Sequence, residues 1–349
     1  MEGVVHALVR WLRKAITAHP YHGERKMCGA AACSILPAPC EYMRAKTYFC
    51  NVVTVCIRPR PPRHLPPPPT HSREPRHPHK ALSLMNSMLE LVIQTALEAG
   101  RAIMQVYENP ETDWQVERKA DNSPLTLADR RSHAVIAAAL AQTPYPVLSE
   151  EGEHRPYAER EAWHTLWVVD PLDGTKEFLK RNGEFTVNIA LVRHGVPVMG
   201  VIYAPVLGRL YAAAEGHGAF VAQVDAATLQ VGERKGLPLP EAQQHRPYRV
   251  VASRSHRSPE TEAFIARVAQ QHAQPDVVSA GSSLKLCLVA EGSADVYPRL
   301  APTMEWDTAA GHAIALEAGC TVTRADDGLP LRYNKADLLN PFFVVERGC

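Results

Sequence analysis

Leu166-Trp-Val-Val-Asp-Pro-Leu-Asp-Gly-Thr-Lys-Glu-Phe178 is the stretch on which the reading of this chain turns. The run Leu166 to Val169 is continuously apolar and reads as a buried strand. It ends in Asp170. Pro171 has no N–H to give a ladder, so the strand is expected to stop there and turn. Asp173-Gly174 suits that turn, because glycine takes backbone conformations that side chains resist. Two carboxylates three residues apart then stand at the C-terminal lip of a strand, with the Thr175 hydroxyl just beyond. Open α/β sheets bind ligands at that lip. Clustered hard oxygens suit Mg²⁺ and a phosphate. An acidic surface turn is the plainer alternative.

Working outward, the N-terminal side first supplies Pro146-Val-Leu-Ser-Glu-Glu-Gly152, a short strand with Glu150 and Glu151 at its exit. Before it, Thr126 is placed to cap a helix over Leu127 to Ala141. Asp129 lies in that helix's first turn, where the dipole favours a carboxylate. Capping and a role in a site both stand for Asp129. An earlier helix is read from the i, i+3, i+4 spacing of Leu89, Val92, Ile93, Ala96, Leu97, Ile103 and Met104, capped by Asn86 or Ser87.

On the C-terminal side, Phe185 to Val192 and Val196 to Ala204 read as strands joined at His194-Gly195. Leu210 to Ala214 and Gly218 to Val221 continue the sheet. Patternless residues 225–246 suggest a domain boundary. Beyond it, strands (249–252, 277–279, 294–297, 320–323) alternate with helices (259–272, 282–291, 308–318), as in a sheet with crossover connections. Gly281-Ser-Ser-Leu-Lys285 opens one helix after a strand, a geometry that presents N–H groups and hydroxyls to an anion. On this segment alone, ordinary serine capping is the better explanation. Asp307 falls at or just before the last helix start, where capping again competes with a site role.

The first 80 residues are unlike the rest. They hold 13 Lys/Arg and 4 Asp/Glu, a net of +9, whereas residues 81–349 carry 25 and 33, a net of −8. An acidic body argues against nucleic-acid binding. Cys28, Cys33, Cys40, Cys50 and Cys56 form no C-x-x-C pair, which gives zinc little support. The body holds only Cys287, Cys320 and Cys349, a scarcity that fits a reducing cytosol. Nine of the twenty residues from Pro59 to Pro78 are proline, an extended linker composition. Residues 1–84 thus read as an extension, disordered or a mis-assigned start, with the working protein beginning at Met85 or Met88. The basic stretch Val4 to Ala18 leaves a targeting segment or a membrane-surface helix as alternatives.

The acids at element ends, Glu150, Asp170, Asp173, Asp307 and Asp129, repel one another if they converge. Either they are dispersed, or cations sit among them. Without a Cys/His ligand set, Mg²⁺ is favoured over zinc.

Ser149-Glu-Glu151, Asp170-Pro-Leu-Asp-Gly-Thr175 and Trp306-Asp-Thr-Ala-Ala-Gly311 together resemble the inositol monophosphatase superfamily of Mg²⁺-dependent, Li⁺-sensitive phosphatases. Lys119-Ala-Asp-Asn-Ser-Pro124, Asp173-Gly-Thr-Lys-Glu-Phe178, Ser253-Arg-Ser-His256, Gly281-Ser-Ser-Leu-Lys285, Tyr297-Pro-Arg299 and Leu339-Asn-Pro341 are similar to the CysQ-type 3′(2′),5′-bisphosphate nucleotidases. The likeness runs from about residue 88 to the C-terminus, with the motifs in the family's order. It implies a mixed α/β (α+β) fold, a layered α-β-α-β-α sandwich of the inositol monophosphatase and fructose-bisphosphatase type. The implied domains are 85–240, with most metal ligands, and 241–349, with nucleotide contacts and Asp307.

The resemblance also implies roles. Glu150, Asp170 and the Leu172 carbonyl hold one Mg²⁺; Asp170, Asp173 and Asp307 hold a second; a third, weaker ion is part of the family picture. Thr175, with Asp129 behind it, orients the attacking water, and Glu150 belongs to the catalytic set. N–H groups of Gly174 and Thr175 face the scissile phosphate. His256, Ser282, Lys285 and Arg299 match positions used for the nucleotide and its second phosphate. The implied reaction converts adenosine 3′,5′-bisphosphate (PAP) to AMP and phosphate, and the sulfated PAPS to APS, in sulfate assimilation. The implied location is cytoplasmic, at most peripheral on the inner membrane, with organelle targeting as the alternative that the extension leaves. No macromolecular partner is implied, and the oligomeric state is not readable.

The alternative within the superfamily is an inositol monophosphatase or other sugar-phosphate phosphatase; Lys176-Glu-Phe178 and Ser282-Ser-Leu-Lys285 argue against it. A haloacid-dehalogenase-type phosphatase needs its carboxylates two apart, and a P-loop protein needs G-x-x-x-x-G-K-[ST], which is missing. A non-catalytic nucleotide sensor is the rival from another class.

Overall fold

The computed structural model describes residues 78–109, 113–118, 124–240, 246–252, 258–272 and 274–348, with side chains from residue 84. The N-terminal extension up to residue 77, most of the Lys119 to Pro124 motif and His256 therefore lie outside the described residues.

Helix α1 runs Pro78–Tyr107. It begins well before the expected start, and Asn86 and Ser87 lie inside it rather than capping it. The reason is that Leu84 and Met85 already pack on the core, and nothing between Pro78 and Gly100 breaks a helix. Proline is tolerated in a first helical turn. Helix α2, Leu127–Leu140, follows a short ribbon of β1 (Glu117–Arg118) with β2 (Pro124–Leu125).

A seven-stranded sheet comes next, in the spatial order β3 (Val147–Ser149), β4 (Thr165–Asp173), β5 (Thr186–Arg193), β6 (Val196–Ala204), β7 (Arg209–Ala214), β8 (Gly218–Gln223) and β9 (Lys235–Gly236). β3 and β4 are parallel and the remaining pairs antiparallel. His194 and Gly195, both at positive φ (50° and 74°), make the tight β5–β6 turn. Short helices α3 (Tyr157–Arg160) and α4 (Thr175–Leu179) flank β4.

The apolar run in β4 is explained by burial on both faces. Trp167 and Val169 point into a core shared with α1 and α2. Leu166 and Val168 point into a second core shared with the C-terminal half. Each fully buried aliphatic side chain of this kind contributes about 1.5–3 kcal/mol relative to exposure. Trp167 keeps its indole N–H satisfied by donating to Thr143 Oγ1 at 2.8 Å.

The C-terminal half forms a five-stranded sheet in the order β11 (Asp276–Val278), β10 (Arg249–Val251), β12 (Val296–Arg299), β14 (Phe343–Glu346), β13 (Thr321–Arg324). β10 is parallel to β11 and β12, and β14 is antiparallel to both its neighbours. Helices α6 (Leu284–Ala290) and α7 (Glu305–Glu317) lie between the sheets, and α5 (Pro259–Gln271) packs on the far face of the second. α7 can lie directly on β6 because Gly200 has no Cβ; one would fall 2.2 Å from the Ala310 carbonyl oxygen. The layers thus run α-β-α-β-α, as expected. Among the described residues no helix is long and apolar enough to cross a membrane.

Candidate active site

β4 does not stop at Asp170. It continues to Asp173, with a register irregularity between the two where it pairs with β5. Pro171 sits in that irregularity, where its missing N–H costs no ladder bond. The Leu172 N–H instead donates to Asp170 Oδ1 at 3.0 Å, and Ser132 Oγ donates to the Pro171 carbonyl at 2.6 Å. The turn comes one residue later than Asp173, at Gly174, with φ +92°. A side chain there would be strained and would press on Ser282 Cβ and the Glu184 carbonyl, both 3.3 Å away.

This geometry puts Asp170, Leu172, Asp173, Gly174 and Thr175 on the wall of one cavity of about 430 Å³. Glu150 reaches it from the exit of β3, and its N–H donates to the Val169 carbonyl of β4. Asp307 reaches it from the first turn of α7. The expected cap is there as well: Asp307 Oδ2 accepts from the Met304 N–H at 2.9 Å. Capping and a place in the cavity wall are therefore compatible.

The same holds for Asp129. Its Oδ2 accepts from the Thr126 N–H at 2.8 Å and closes the capping box of α2. Its Oδ1 is left to accept from Thr175 Oγ at 3.3 Å. Asp129 is buried behind the wall rather than lining it.

The carboxylates are electrostatically frustrated. Burial, and then the charges of Glu150, Asp173 and Asp307, hold Asp170 well above the usual carboxylate range. Burial raises Asp173 too, against the opposing pull of the Lys285 ammonium and of hydrogen bonds from Asn188 and the Ser283 N–H. Asp307 is pushed up to about 8, by burial first and Asp173 second. Protons relieve such a set, and so does a cation.

Among the described residues no group of three or more His, Cys, Asp or Glu side chains forms a set that could hold a metal ion on its own. Mg²⁺ does not ask for such a cage. It takes one or two carboxylates and fills its octahedron with carbonyl oxygens, water and phosphate. The all-oxygen wall, with the Leu172 residue between the aspartates, fits that habit.

The same cavity is also lined by Ser282, Ser283, Lys285 and Arg299. Lys285 Nζ donates to the Ser282 carbonyl at 2.8 Å. Arg299 Nη2 donates to the Pro302 carbonyl at 2.9 Å, while its Nε is buried with no partner, a donor suited to an anion. The expectation of ordinary serine capping fails here. Ser283 precedes α6 but its side chain makes no cap bond. Its hydroxyl turns instead to Asn188 Oδ1, at 2.7 Å.

Every sequence-derived site residue among the described ones thus lines the cavity or, as Asp129, backs it. Reading the sequence misses Asn188 and Thr186; Ser283 lies in the segment expected to face an anion, and Lys176 and Tyr297, both on the wall, lie within motifs but carry no expected role. Asn188 had a signal: an amide in the middle of the apolar strand 186–193 is out of place unless something claims it.

The sequence profile of the inositol monophosphatase family matches residues 84–347. The chain is 49% identical over 261 residues to the 3′(2′),5′-bisphosphate nucleotidase CysQ of Escherichia coli K12, covering 74% of this chain and 99% of that protein. The crystal structure of CysQ from Bacteroides thetaiotaomicron, described as a bacterial member of the same family, superposes with a TM-score of 0.68 at 55% identity, over 75% of this chain and 97% of that one. An inositol monophosphatase (IMPase) from Thermotoga maritima shares the fold, with a TM-score of 0.57 at 24% identity over 75% of this chain and 92% of its own.

Proposed function

The chain belongs to the inositol monophosphatase family, and from that premise we propose that it is a 3′(2′),5′-bisphosphate nucleotidase that hydrolyses the 3′-phosphate of PAP to give AMP and phosphate. The observation that carries the reading is one cavity lined by two unlike sets of side chains, carboxylates on the one hand and hydroxyls and cations on the other. A substrate with two phosphates suits both sets: one at the acid wall with its metals, the other beside Lys285 and Arg299. The nucleotidase relatives, similar over almost their whole length, support the nucleotide. Likeness to inositol monophosphatases is at the level of fold.

The family relationship implies a divalent metal, which we take to be Mg²⁺. Although these side chains do not form a closed three-acid set without an ion, Glu150, Asp170 and the Leu172 carbonyl would hold one ion, and Asp170, Asp173 and Asp307 would draw in around a second; a third, weaker site is part of the proposal. Bound there, Mg²⁺ supplies charge to offset the carboxylates and the phosphate, and lowers the pKa of water. The chain's own residues do the positioning. Thr175 Oγ donates its proton to Asp129, so its lone pairs face outward to accept from a water. Asp129, fixed by the cap of α2, holds that hydroxyl in place. The first N–H groups of α4, at Gly174 and Thr175, have no partner within the helix and are offered to the scissile phosphate. Ser282, Lys285 and Arg299 hold the retained phosphate by charge-assisted hydrogen bonds, with His256 proposed beside them. Attack is direct, without a covalent enzyme intermediate.

The functional division follows the chain: residues 85–240 carry most metal ligands, and 241–349 carry the nucleotide contacts and Asp307. We extend the activity to PAPS, and so to sulfate assimilation in the cytoplasm with at most peripheral membrane contact, and expect inhibition by Li⁺. The test is phosphate release from PAP, PAPS, inositol 1-phosphate and fructose 1,6-bisphosphate, with and without Mg²⁺. PAP or PAPS turnover that needs Mg²⁺ and exceeds the sugar phosphates supports the reading. Preference for inositol 1-phosphate overturns it.

A further inference from the structure

We propose that Asn188 is a positioning residue that couples the carboxylate wall to the Ser282–Lys285 loop, so that ordering one orders the other. The inference rests on the nucleotidase reading above and asks how its two phosphate-handling walls communicate.

Asn188 lies in the middle of β5 and is 1% exposed. Its Nδ2 donates to Asp173 Oδ2 at 3.3 Å. Its Oδ1 accepts from Ser283 Oγ at 2.7 Å and from Thr186 Oγ1 at 2.9 Å. Thr186 Oγ1 is also 2.8 Å from Ser283 Oγ and 3.3 Å from Ser282 Oγ. The Ser283 hydroxyl defines which way the amide faces. It donates to the amide oxygen, so the amide N–H is left for the aspartate. Turned over, the amide would set a carbonyl against the Asp173 carboxylate, two acceptors without a proton between them.

The partners come from different halves of the fold. Thr186, Asn188 and Asp173 belong to the seven-stranded sheet; Ser282 and Ser283 lead into α6, over the second sheet. Ser283 reaches Asp173 a second way, through its backbone N–H. Ser282 has φ +43°, a left-handed conformation that a non-glycine residue holds only when its surroundings impose it. The loop is also pressed onto the first sheet at Gly281, where a Cβ would lie 2.5 Å from the Glu184 carbonyl oxygen. One amide therefore fixes a carboxylate of the site and, through the Ser283 and Thr186 hydroxyls, the loop that carries the strained Ser282.

An anion that settles on Ser282 and Lys285 stabilises the loop in this position. That in turn holds Asn188 and Asp173 as a cation needs them. Coupling of this kind is reciprocal, so the cation must favour the anion by the same factor.

The experiment is calorimetric titration of the full-length protein with Mg²⁺, with and without AMP, corrected for Mg²⁺–AMP complexation in solution. In the wild type AMP tightens Mg²⁺ binding about fivefold or more, the lower range of measured couplings. Asn188→Leu, close in shape but without polar atoms, brings the factor near one. Thr186→Val does the same in part, and Thr186→Ser, which keeps the hydroxyl, restores it. The Thr186 pair keeps the test valid should Asn188→Leu not fold. If both Asn188→Leu and Thr186→Val keep the wild-type factor, the assignment falls. A wild type that binds both ligands without coupling sinks this inference alone. A wild type that binds Mg²⁺ but not AMP sinks the nucleotide reading and the coupling together.

Discussion

Asp170 and Asp173 ride on a strand paired on both sides, by β3 and β5, with apolar cores above and below. Lys285 and Arg299, in the same cavity, stand at a helix start and a strand end, and each is tied to the protein by bonds to loop carbonyls. The first wall is rigid and strained by its own charge. The second is fixed by neighbouring carbonyls and hydroxyls and has a donor, Arg299 Nε, without a partner among the described residues. On the proposed reading, the residues that meet the reacting phosphate are built into the sheet, while those that select the rest of the substrate stand at the ends of elements next to loops, where sequence can change at smaller cost to stability.

The largest effect that can break this contrast is expected at the strand wall. Asp170→Asn lowers phosphate release by about 10³-fold, the scale for losing a preorganised electrostatic group. Its metal-free melting temperature stays the same or rises, because a buried, repelled charge is gone. A variant within tenfold of wild type in rate removes Asp170 from the site.

Substitution on the loop wall gives a smaller and different change. Lys285→Ala and Arg299→Ala each raise KM by about 10–100-fold, the equivalent of a hydrogen bond to a charged group, and leave kcat within a few fold. Steady-state kinetics with PAP separates the two. A loss confined to kcat would place these cations at the reacting phosphate and erase the distinction between the walls.

The smallest effect is in stability, and its sign is defined. Asp170, Asp173 and Asp307 all have pKa values raised in the fold. The metal-free folded state therefore holds more protons than the unfolded chain. The stability is present below the unfolded aspartate range, near pH 4, and is lost as pH rises through the folded values, about 8 for Asp307. The melting temperature in EDTA should fall by a few degrees from pH 5 to pH 8, and Mg²⁺ should raise it more at pH 8 than at pH 5. Scanning calorimetry checks both. A metal-free melting temperature that rises over this range contradicts the frustrated acid wall.

The same contrast governs what the sequence discloses. Asp170, Asp173, Gly174 and Thr175 are legible because a strand, a turn and a helix start follow one another within a few residues, and each has local chemistry. Asp129 and Asp307 are legible only as two readings, cap or site, and in the fold the two oxygens of Asp129 serve both. Asn188 is legible only as an amide out of place in an apolar strand; its role is not, since its partners Asp173 and Ser283 come from a neighbouring strand and from the other half of the chain. β14 escapes for a related reason. Its four residues follow the irregular segment 325–342 and make sense only between β12 and β13. Pro171 misleads because a rule that ends a regular strand does not end one that shifts register.

The measurement that tests the central claim most directly is the identity of the nucleotide product. If the acid wall takes the 3′-phosphate and the Lys285–Arg299 wall keeps the other, ³¹P NMR of the Mg²⁺-dependent reaction with PAP will show inorganic phosphate and adenosine 5′-monophosphate alone. Accumulation of adenosine 3′-monophosphate, or no cleavage of PAP at all, would contradict it.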